Sequence, residues 1–409
     1  MKILYFHQHF STPSGKTGTR SYEFAKKLIE RGHKVTMVCG SAAMGTSGLD
    51  TTPVKGIKKG NVQGIDVIEI CLPYSNYDSL LKRSMVFLTF SLKSISIAFK
   101  EDYDLLFATS TPLTAGIPGI VMRLLKPHKK FIFEVRDLWP ELPKAMGVIK
   151  NPLILLGMSI LEKLSYLSMN AGIALSPGIR AGMKKRSSKN KVIEMIPNGC
   201  DLDLFKPCTK NKKELKSLIP ELKDDDFVAI FTGAHGLANG LDSVLDAAKE
   251  LQKKTNKVKF VFIGDGKLKP GLVERAKQEK IENCFFLEPV SKLKLAELMN
   301  GVDVGLMVLS NISAFYYGTS PNKFFDYISQ GMPVLNNYPG WLADMIKERK
   351  CAIAVSPDNP VEFSEELCRL SCSPELCISM GSNARKLAKE QFDRNELSTK
   401  FVDFLESFK

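Results

Sequence analysis

Short apolar runs alternate with amphipathic helical segments from the first residue onward, and near residue 200 the alternation breaks and starts again. Few folds accommodate that pattern. A strand that is apolar throughout must be covered on both faces, and helical crossovers between parallel strands provide the cover. Residues 2–7 read as a strand. Residues 22–31 carry Tyr22, Ala25, Leu28 and Ile29 at helical spacing, closed by Gly32. Residues 33–39 then complete a right-handed βαβ opening. Further strands are expected at 67–71, 105–108, 130–135, 172–175 and 192–195. After the break they are expected at 227–232, 258–263, 284–287, 304–308 and 333–336, with helices at 241–252, 272–280, 293–299 and 324–329. The expected class is α/β, two tandem Rossmann-like doubly wound domains. The turn-forming Pro197-Asn198-Gly199 and the charged stretch 210–226 place the hinge near residue 200.

A chain of 409 residues with 44% hydrophobic content can bury two cores. Its nine cysteines are scattered without a C-x-x-C pair, the usage of reduced thiols in a cytosolic protein, and indicate neither a disulfide framework nor a zinc site. Met1–Phe6 reads as a strand, so a secretory signal is not expected. Residues 1–200 hold 28 Lys and Arg against 14 Asp and Glu, whereas residues 201–409 hold 29 against 30. A basic excess confined to one half points to a polyanion. No helix-turn-helix, zinc-finger or aromatic-basic motif accompanies it, which leaves an anionic membrane surface ahead of nucleic acid, or a solubility bias without function. Residues 79–100 contain no acid, carry Lys82, Arg83 and Lys93, and place Leu81, Met85, Leu88, Leu92, Ile95 and Phe99 in one stripe. Two readings stay open: a helix lying in a membrane interface, or a crossover helix whose stripe faces the core.

Four segments can carry chemistry. Gly15 and Gly18 lie in the loop between the first strand and the first helix, where backbone amides favour an anion, although the spacing fits neither a dinucleotide nor a Walker loop. Arg136 and Asp137 follow a strand directly, at the carboxyl edge where open α/β sheets bind ligands. The loop 232–241 holds Gly233, His235, Gly236 and Gly240, with room for a diphosphate and a histidine able to donate to it. In the run 320–326, Asn322 and Lys323 open a helix, and Asp326 lies three residues after Lys323 on the same face. A cation beside helix-terminal amides suits a diphosphate leaving group, and a carboxylate nearby suits vicinal ribose hydroxyls.

These motifs together resemble glycosyltransferase family 4, the retaining enzymes of GT-B fold. The resemblance rests on the Gly15/Gly18 loop, Gly32-His33-Lys34-Val35, Ile196-Pro197-Asn198-Gly199 with Asp203 and Phe205, Phe231-Thr232-Gly233 to Gly240, Gly264-Asp265-Gly266, and Gly331-x-Pro333-Val334. The runs Arg136-Asp137-Leu138-Trp139-Pro140 and Ser320-Pro321-Asn322-Lys323 are similar to a subgroup acting in bacterial O-antigen and capsule assembly, N-acetyl-L-fucosamine transferases among them. The resemblance implies two domains facing across a cleft. Residues 1–200 would bind the acceptor and 201–392 the nucleotide-sugar donor, with a helix in 393–409 crossing back onto the first domain. It implies a UDP-sugar donor, a polyprenyl-diphosphate-linked acceptor, no metal or other cofactor, no nucleic-acid partner, and a cytoplasmic enzyme peripheral on the inner membrane face. Gly15, Gly18, Gly233, His235, Gly236, Asn322, Lys323 and Asp326 would bind the donor, and Arg136, Asp137 and Lys323 would act in catalysis. The chain departs from the family pattern where Gly318 and Asp326 replace its paired glutamates, where Ala234 and Asn239 replace its Arg and Lys, and where Arg136 replaces a histidine. A sugar-nucleotide 2-epimerase of the same architecture and an inactive membrane-associated scaffold are the rival readings.

Overall fold

A computed structural model describes residues 1–41, 44–75 and 77–409. The chain divides into two compact units, Met1–Pro197 with Tyr317–Ser320 and Asn395–Lys409, and Asn198–Tyr316 with Pro321–Arg394.

The first unit runs β1 (Lys2–Phe6), α1 (Arg20–Glu30), β2 (Lys34–Gly40), β3 (Ile57–Val62), β4 (Ile65–Ile70), α2 (Leu80–Lys100), β5 (Leu105–Thr109), α3 (Ile117–Leu125), β6 (Lys130–Val135), α4 (Glu141–Ala145), α5 (Pro152–Ser168), β7 (Ala171–Ala174), α6 (Pro177–Arg186) and β8 (Val192–Met195). The eight strands are ordered β3-β4-β2-β1-β5-β6-β7-β8, all parallel except the β3–β4 hairpin. That hairpin is a departure from the sequence reading, which has no strand at 57–62. Gln63 and Gly64 both take positive φ, 51° and 91°, as a two-residue primed turn requires. Period-two alternation in β1 sends Leu4 and Phe6 to one core and Ile3 and Tyr5 to the other. The first core is closed by α2, α3 and α5 through Phe90, Ile97, Met122 and Tyr166. The second is closed by α1 and the C-terminal helix Arg394–Glu406, with Phe401 stacked on Phe24 at 4.1 Å. Glu406 accepts from Arg31 (2.7 Å) and pairs with His33 Nε2 (2.8 Å).

The second unit runs α7 (Lys213–Leu218), β9 (Phe227–Thr232), α8 (Leu241–Gln252), β10 (Val258–Ile263), α9 (Lys269–Gln278), β11 (Cys284–Leu287), α10 (Lys292–Met299), β12 (Val304–Met307), α11 (Ser313–Gly318), α12 (Asn322–Ser329), β13 (Val334–Asn336), α13 (Trp341–Arg349), β14 (Ala352–Ala354), α14 (Pro360–Ser371) and α15 (Pro374–Gln391). Its six strands are all parallel, in the order β11-β10-β9-β12-β13-β14. Both sheets thus have the reversal of strand order that defines doubly wound folds, between β1 and β5 in the first unit and between β9 and β12 in the second.

Candidate active site

In the second unit the reversal point is occupied by α12, and Tyr327 fixes it there. The phenol lies against Gly305, where an added Cβ would come within 2.4 Å of the ring, so only glycine lets the helix approach β12 this closely. The Tyr327 hydroxyl accepts from Thr232 N (3.0 Å) and donates to Ile230 O (3.3 Å), which ties the helix to the carboxyl end of β9. One turn earlier, the half-buried Lys323 extends over the Phe231 ring at 4.1 Å and donates to Asn239 Oδ1 at 2.7 Å. Asn239 in turn donates to Ala234 O at 2.7 Å. Burial pushes the Lys323 ammonium down to about 7. A cation is thus held at a sheet edge by a neutral amide and an aromatic face.

The loop that follows β9 is stitched to the loop that follows β10. His235 N donates to Asp265 O and Leu268 N to His235 O, and a Cβ on Gly264 would come within 1.8 Å of Gly233 O. The amides of Gly233, His235 and Asn239 already donate to Ile263 O, Asp265 O and Gly236 O, so they do not point at a ligand. Gly236 differs, since a Cβ there would meet nothing within 4 Å. The His235 side chain also departs from the expectation of a phosphate donor on a loop surface. It is fully buried near Phe231, Phe262 and Phe286, and burial, then the Lys269 charge, push it down to about 4. A neutral imidazole in an aromatic pocket is a packing residue at physiological pH.

Asp326 shares α12 with Lys323, but the two charges have separate partners. Asp326 is buried, and burial raises its carboxyl while Lys292 and Arg394 lower it and Asp201 raises it. Asp201 accepts from Lys292 (3.2 Å) and Arg394 (3.4 Å), so the two carboxylates and two cations form one network. Lys323 and Asp326, three residues apart, therefore do not form an ion pair on a surface helix, and every residue of α12 from Phe324 to Ser329 is buried. Asn322, the first helical residue, is exposed.

In the first unit, Arg136 and Asp137 emerge from β6 beside the loops after β1 and β5. Arg136 N donates to Ser110 Oγ (2.9 Å) and its guanidinium lies 3.2 Å from His7 Nε2. Asp137 Oδ2 accepts from Thr111 Oγ1 at 3.1 Å. Thr111 has φ of 86°, a costly conformation for a β-branched residue. Burial raises the Asp137 carboxyl, opposed by Arg136 and Thr111. Burial and Arg136 hold His7 well below its usual range, and His9 is pushed down to about 4 for the same reasons, with Arg83 adding to the effect. Beneath this edge, Glu134 is wholly buried and accepts from Arg20 Nε (3.0 Å), Arg20 Nη2 (2.7 Å) and Thr109 (2.7 Å). Arg20 also donates to Ile196 O and Pro197 O, which pins α1 to the ends of β6 and β8. Gly15 is a tight point in the loop after β1, its Cβ position 2.1 Å from Ser11 Oγ, and Gly18 in the same loop is exposed.

His7, Thr111 and Arg20 are residues that the sequence reading passes over, and Asn239 is one that it marks only as a departure from the family pattern. A histidine directly after an apolar strand was the available signal for His7. Nothing local marks Thr111 or Arg20, whose partners lie 26 and 114 to 177 positions away.

The helix 79–100 resolves in favour of an outward stripe. Leu81, Met85, Leu88 and Leu92 are exposed, while Phe90, Ser91, Ser94, Ile97 and Ala98 are buried, so the expectation of a stripe facing the core does not hold. Lys82 pairs with Asp78 at 2.7 Å, and the Arg83 guanidinium lies 5.7 Å from the Tyr74 ring centre. Among the described residues no helix is long and apolar enough to cross a membrane, and no group of three or more His, Cys, Asp or Glu could hold a metal ion.

Two protein families match the chain. Residues 17–204 match the family described as Glycosyltransferase Family 4, and residues 212–387 match that described as Glycosyl transferases group 1. The chain carries two glycosyltransferase domains. Among solved structures, sucrose-phosphate synthase from Thermosynechococcus elongatus superposes with a TM-score of 0.77 at 15% identity, covering 99% of this chain and 98% of that one. Anabaena HepE in complex with UDP gives 0.70 at 17% identity, with full coverage of both chains. WaaG, a glycosyltransferase involved in lipopolysaccharide biosynthesis, gives 0.70 at 15%, covering 98% and 99%. The glycosyltransferase domains therefore have the GT-B fold. A curated relative, alpha-monoglucosyldiacylglycerol synthase of Acholeplasma laidlawii, is 20% identical over 218 residues. The chain spans about half of that relative's length, 53%, and the match takes up 52% of this chain.

Proposed function

We propose that the protein is a retaining glycosyltransferase. It moves a sugar, of the N-acetylated deoxyhexosamine kind such as N-acetyl-L-fucosamine, from a UDP-linked donor to a polyprenyl-diphosphate-linked saccharide. The work belongs to bacterial surface polysaccharide assembly, at the inner face of the cell membrane. One observation carries the donor half of this reading: the Lys323 ammonium lies at the strand-order reversal with, among the described residues, only a neutral hydrogen-bond partner, 2.7 Å from the side chain of Asn239. The family pattern puts a cation at position 239 itself. Here the charge reaches that place from α12, and an arriving diphosphate supplies the counter-charge that the site lacks. The fold likeness to HepE, whose structures hold UDP and UDP-glucose, supports a uridine nucleotide as donor.

In the reaction, the acceptor hydroxyl oxygen bonds to the anomeric carbon on the face from which the diphosphate departs. The bond between that carbon and the β-phosphate oxygen breaks, and the hydroxyl proton passes to a phosphate oxygen, giving UDP and the extended saccharide. Lys323 stabilises the charge that grows on the leaving group, and the open surface at Gly236, where no side chain intrudes, leaves it room. Asp326 acts with its network to fix the helix and to meet the ribose hydroxyls. Arg136 and Asp137 orient the sugar being transferred or its acceptor, with Thr111 holding the Asp137 carboxylate in place. The test is transfer of radiolabelled sugar by a Lys323→Ala variant. Turnover is expected to fall by about 10²-fold with folding unchanged, and full activity would show that another group stabilises the diphosphate.

A further inference from the structure

Helix α5 is sorted against water in the wrong sense. Its buried residues are Glu162, Ser165 and Tyr166, and its outward stripe is Leu153, Leu156, Ile160, Leu164 and Leu167, with Leu153 77% exposed. Glu162 does not stray inward unpaired, since Arg186 Nη1 lies 2.7 Å from its Oε2. Helix α2 shows the same inversion, burying Ser91 and Ser94 and exposing leucines. Helix α3 packs between α2 and α5 and adds the exposed Leu124 and Leu125, 75% and 62% accessible. All three helices cover one face of the eight-stranded sheet, so their outer sides belong to one surface. Fourteen large apolar side chains of these helices are exposed, which exceeds the scattered leucines of an ordinary monomer surface.

We infer that this three-helix face is the element that enters the membrane interface, with α5 as its most deeply inserted helix and an anionic bilayer as its partner. The inference rests on the membrane location proposed above and adds to it the surface and the mode of binding. Charge decides the occupant. The three helices hold Lys82, Arg83, Lys93, Lys100, Arg123 and Lys163, and their only acid, Glu162, is buried against Arg186. Asp78 answers Lys82 alone, so a second copy docked on this face would still bring two predominantly basic surfaces together, whereas acidic headgroups would meet them with opposite charge while the acyl boundary takes the leucines. No helix here is apolar enough to span, so α5 lies in the plane of the interface.

The test compares co-sedimentation of the full chain with vesicles of phosphatidylcholine alone and of phosphatidylcholine mixed with phosphatidylglycerol. One variant carries Leu153→Ser, Ile160→Ser and Leu164→Ser; another carries Lys82→Glu, Arg83→Glu and Lys93→Glu. The wild type is expected to prefer the mixed vesicles. The α5 variant is expected to lose about a hundredfold in partitioning, the effect of withdrawing three branched apolar side chains from the interface, while its unfolding midpoint is retained because the substituted positions face outward. If the α5 variant binds like the wild type and only the charge variant fails, insertion through α5 is wrong and electrostatic attachment through α2 stands. If the wild type does not bind, or neither variant differs from it, both ideas fall. A wild-type dimer in sedimentation velocity without vesicles, converted to monomer by the α5 variant, would show that a second copy covers this face and would likewise overturn the inference.

Discussion

Helices α12 and α5 break the same rule in opposite directions. In α12 a lysine and an aspartate are drawn toward the interior of a short helix whose last six residues are all buried. In α5 leucines face outward over a buried glutamate. A helix that only completed a fold in water would place these groups the other way round. The difference indicates what each surface expects to meet. Lys323, given among the described residues only Asn239 and the Phe231 ring, is incompletely compensated and suits an incoming anion. The α5 stripe, given no cover, suits an apolar medium. Asp326 supplies the control within α12, because its charge is already answered by Lys292 and Arg394.

The largest effect that would sharpen the α12 side of this contrast is on pH. The free Lys323 titrates near 7, and a bound diphosphate raises that value by favouring the charged form. Below pH 7 the ammonium is already present, and above it binding must take up a proton. The Kd for UDP is therefore expected to rise by up to about tenfold per pH unit above 7, read by calorimetry, which also reports the proton uptake through the buffer's ionisation heat. His235 is pushed down to about 4 and adds no slope between pH 5 and 8. A flat profile would mean that Lys323 is charged throughout or remote from the anion.

A smaller effect follows for stability. The folded value near 7 lies below the ordinary lysine value of 10.5, so between those limits the unfolded chain binds the proton that the folded chain gives up. Stability contributed by this group is lowest below about pH 7 and rises toward pH 10.5. Lys323→Met keeps the stem on Phe231 and removes the charge. At pH 7 it is expected to raise the unfolding midpoint by roughly 2–4 °C, about 1 kcal/mol for a domain of this size, and to have less effect at pH 9.5. An unchanged midpoint in thermal melts at both pH values would place the ammonium in water.

Much of the scaffold was legible because it depends on local periodicity. The strands 227–232 and 258–263 and the helix 241–252 coincide with the structure residue for residue. The β3 strand escaped because Lys58, Lys59 and Gly60 give it no apolar run. Helix α5 escaped for a related reason: apolar residues on its outward stripe and on its flanks blur the period, and its only acid points inward. The candidate site was legible in its backbone and less so in its side chains. Glycines 264 and 266 mark where two loops nearly touch, but nothing local shows that His235 turns into an aromatic pocket or that Lys323 chooses Asn239 over Asp326. Those outcomes are decided by residues about 30 to 85 positions apart, brought together only by the sheet.

The smallest expected effect is the one that tests the α5 side most directly. Leu156 is 57% exposed on the outward stripe, and lysine matches leucine closely in helix propensity while keeping an aliphatic stem. If the stripe meets only solvent in the isolated protein, Leu156→Lys removes no packed contact. The unfolding free energy in urea, followed by circular dichroism, should then change by less than about 0.5 kcal/mol. A core leucine would lose several times that amount. A loss of that larger size at Leu156 would mean that protein, not lipid, completes this face, and the contrast between a helix awaiting an anion and a helix awaiting a bilayer would fail on its second term.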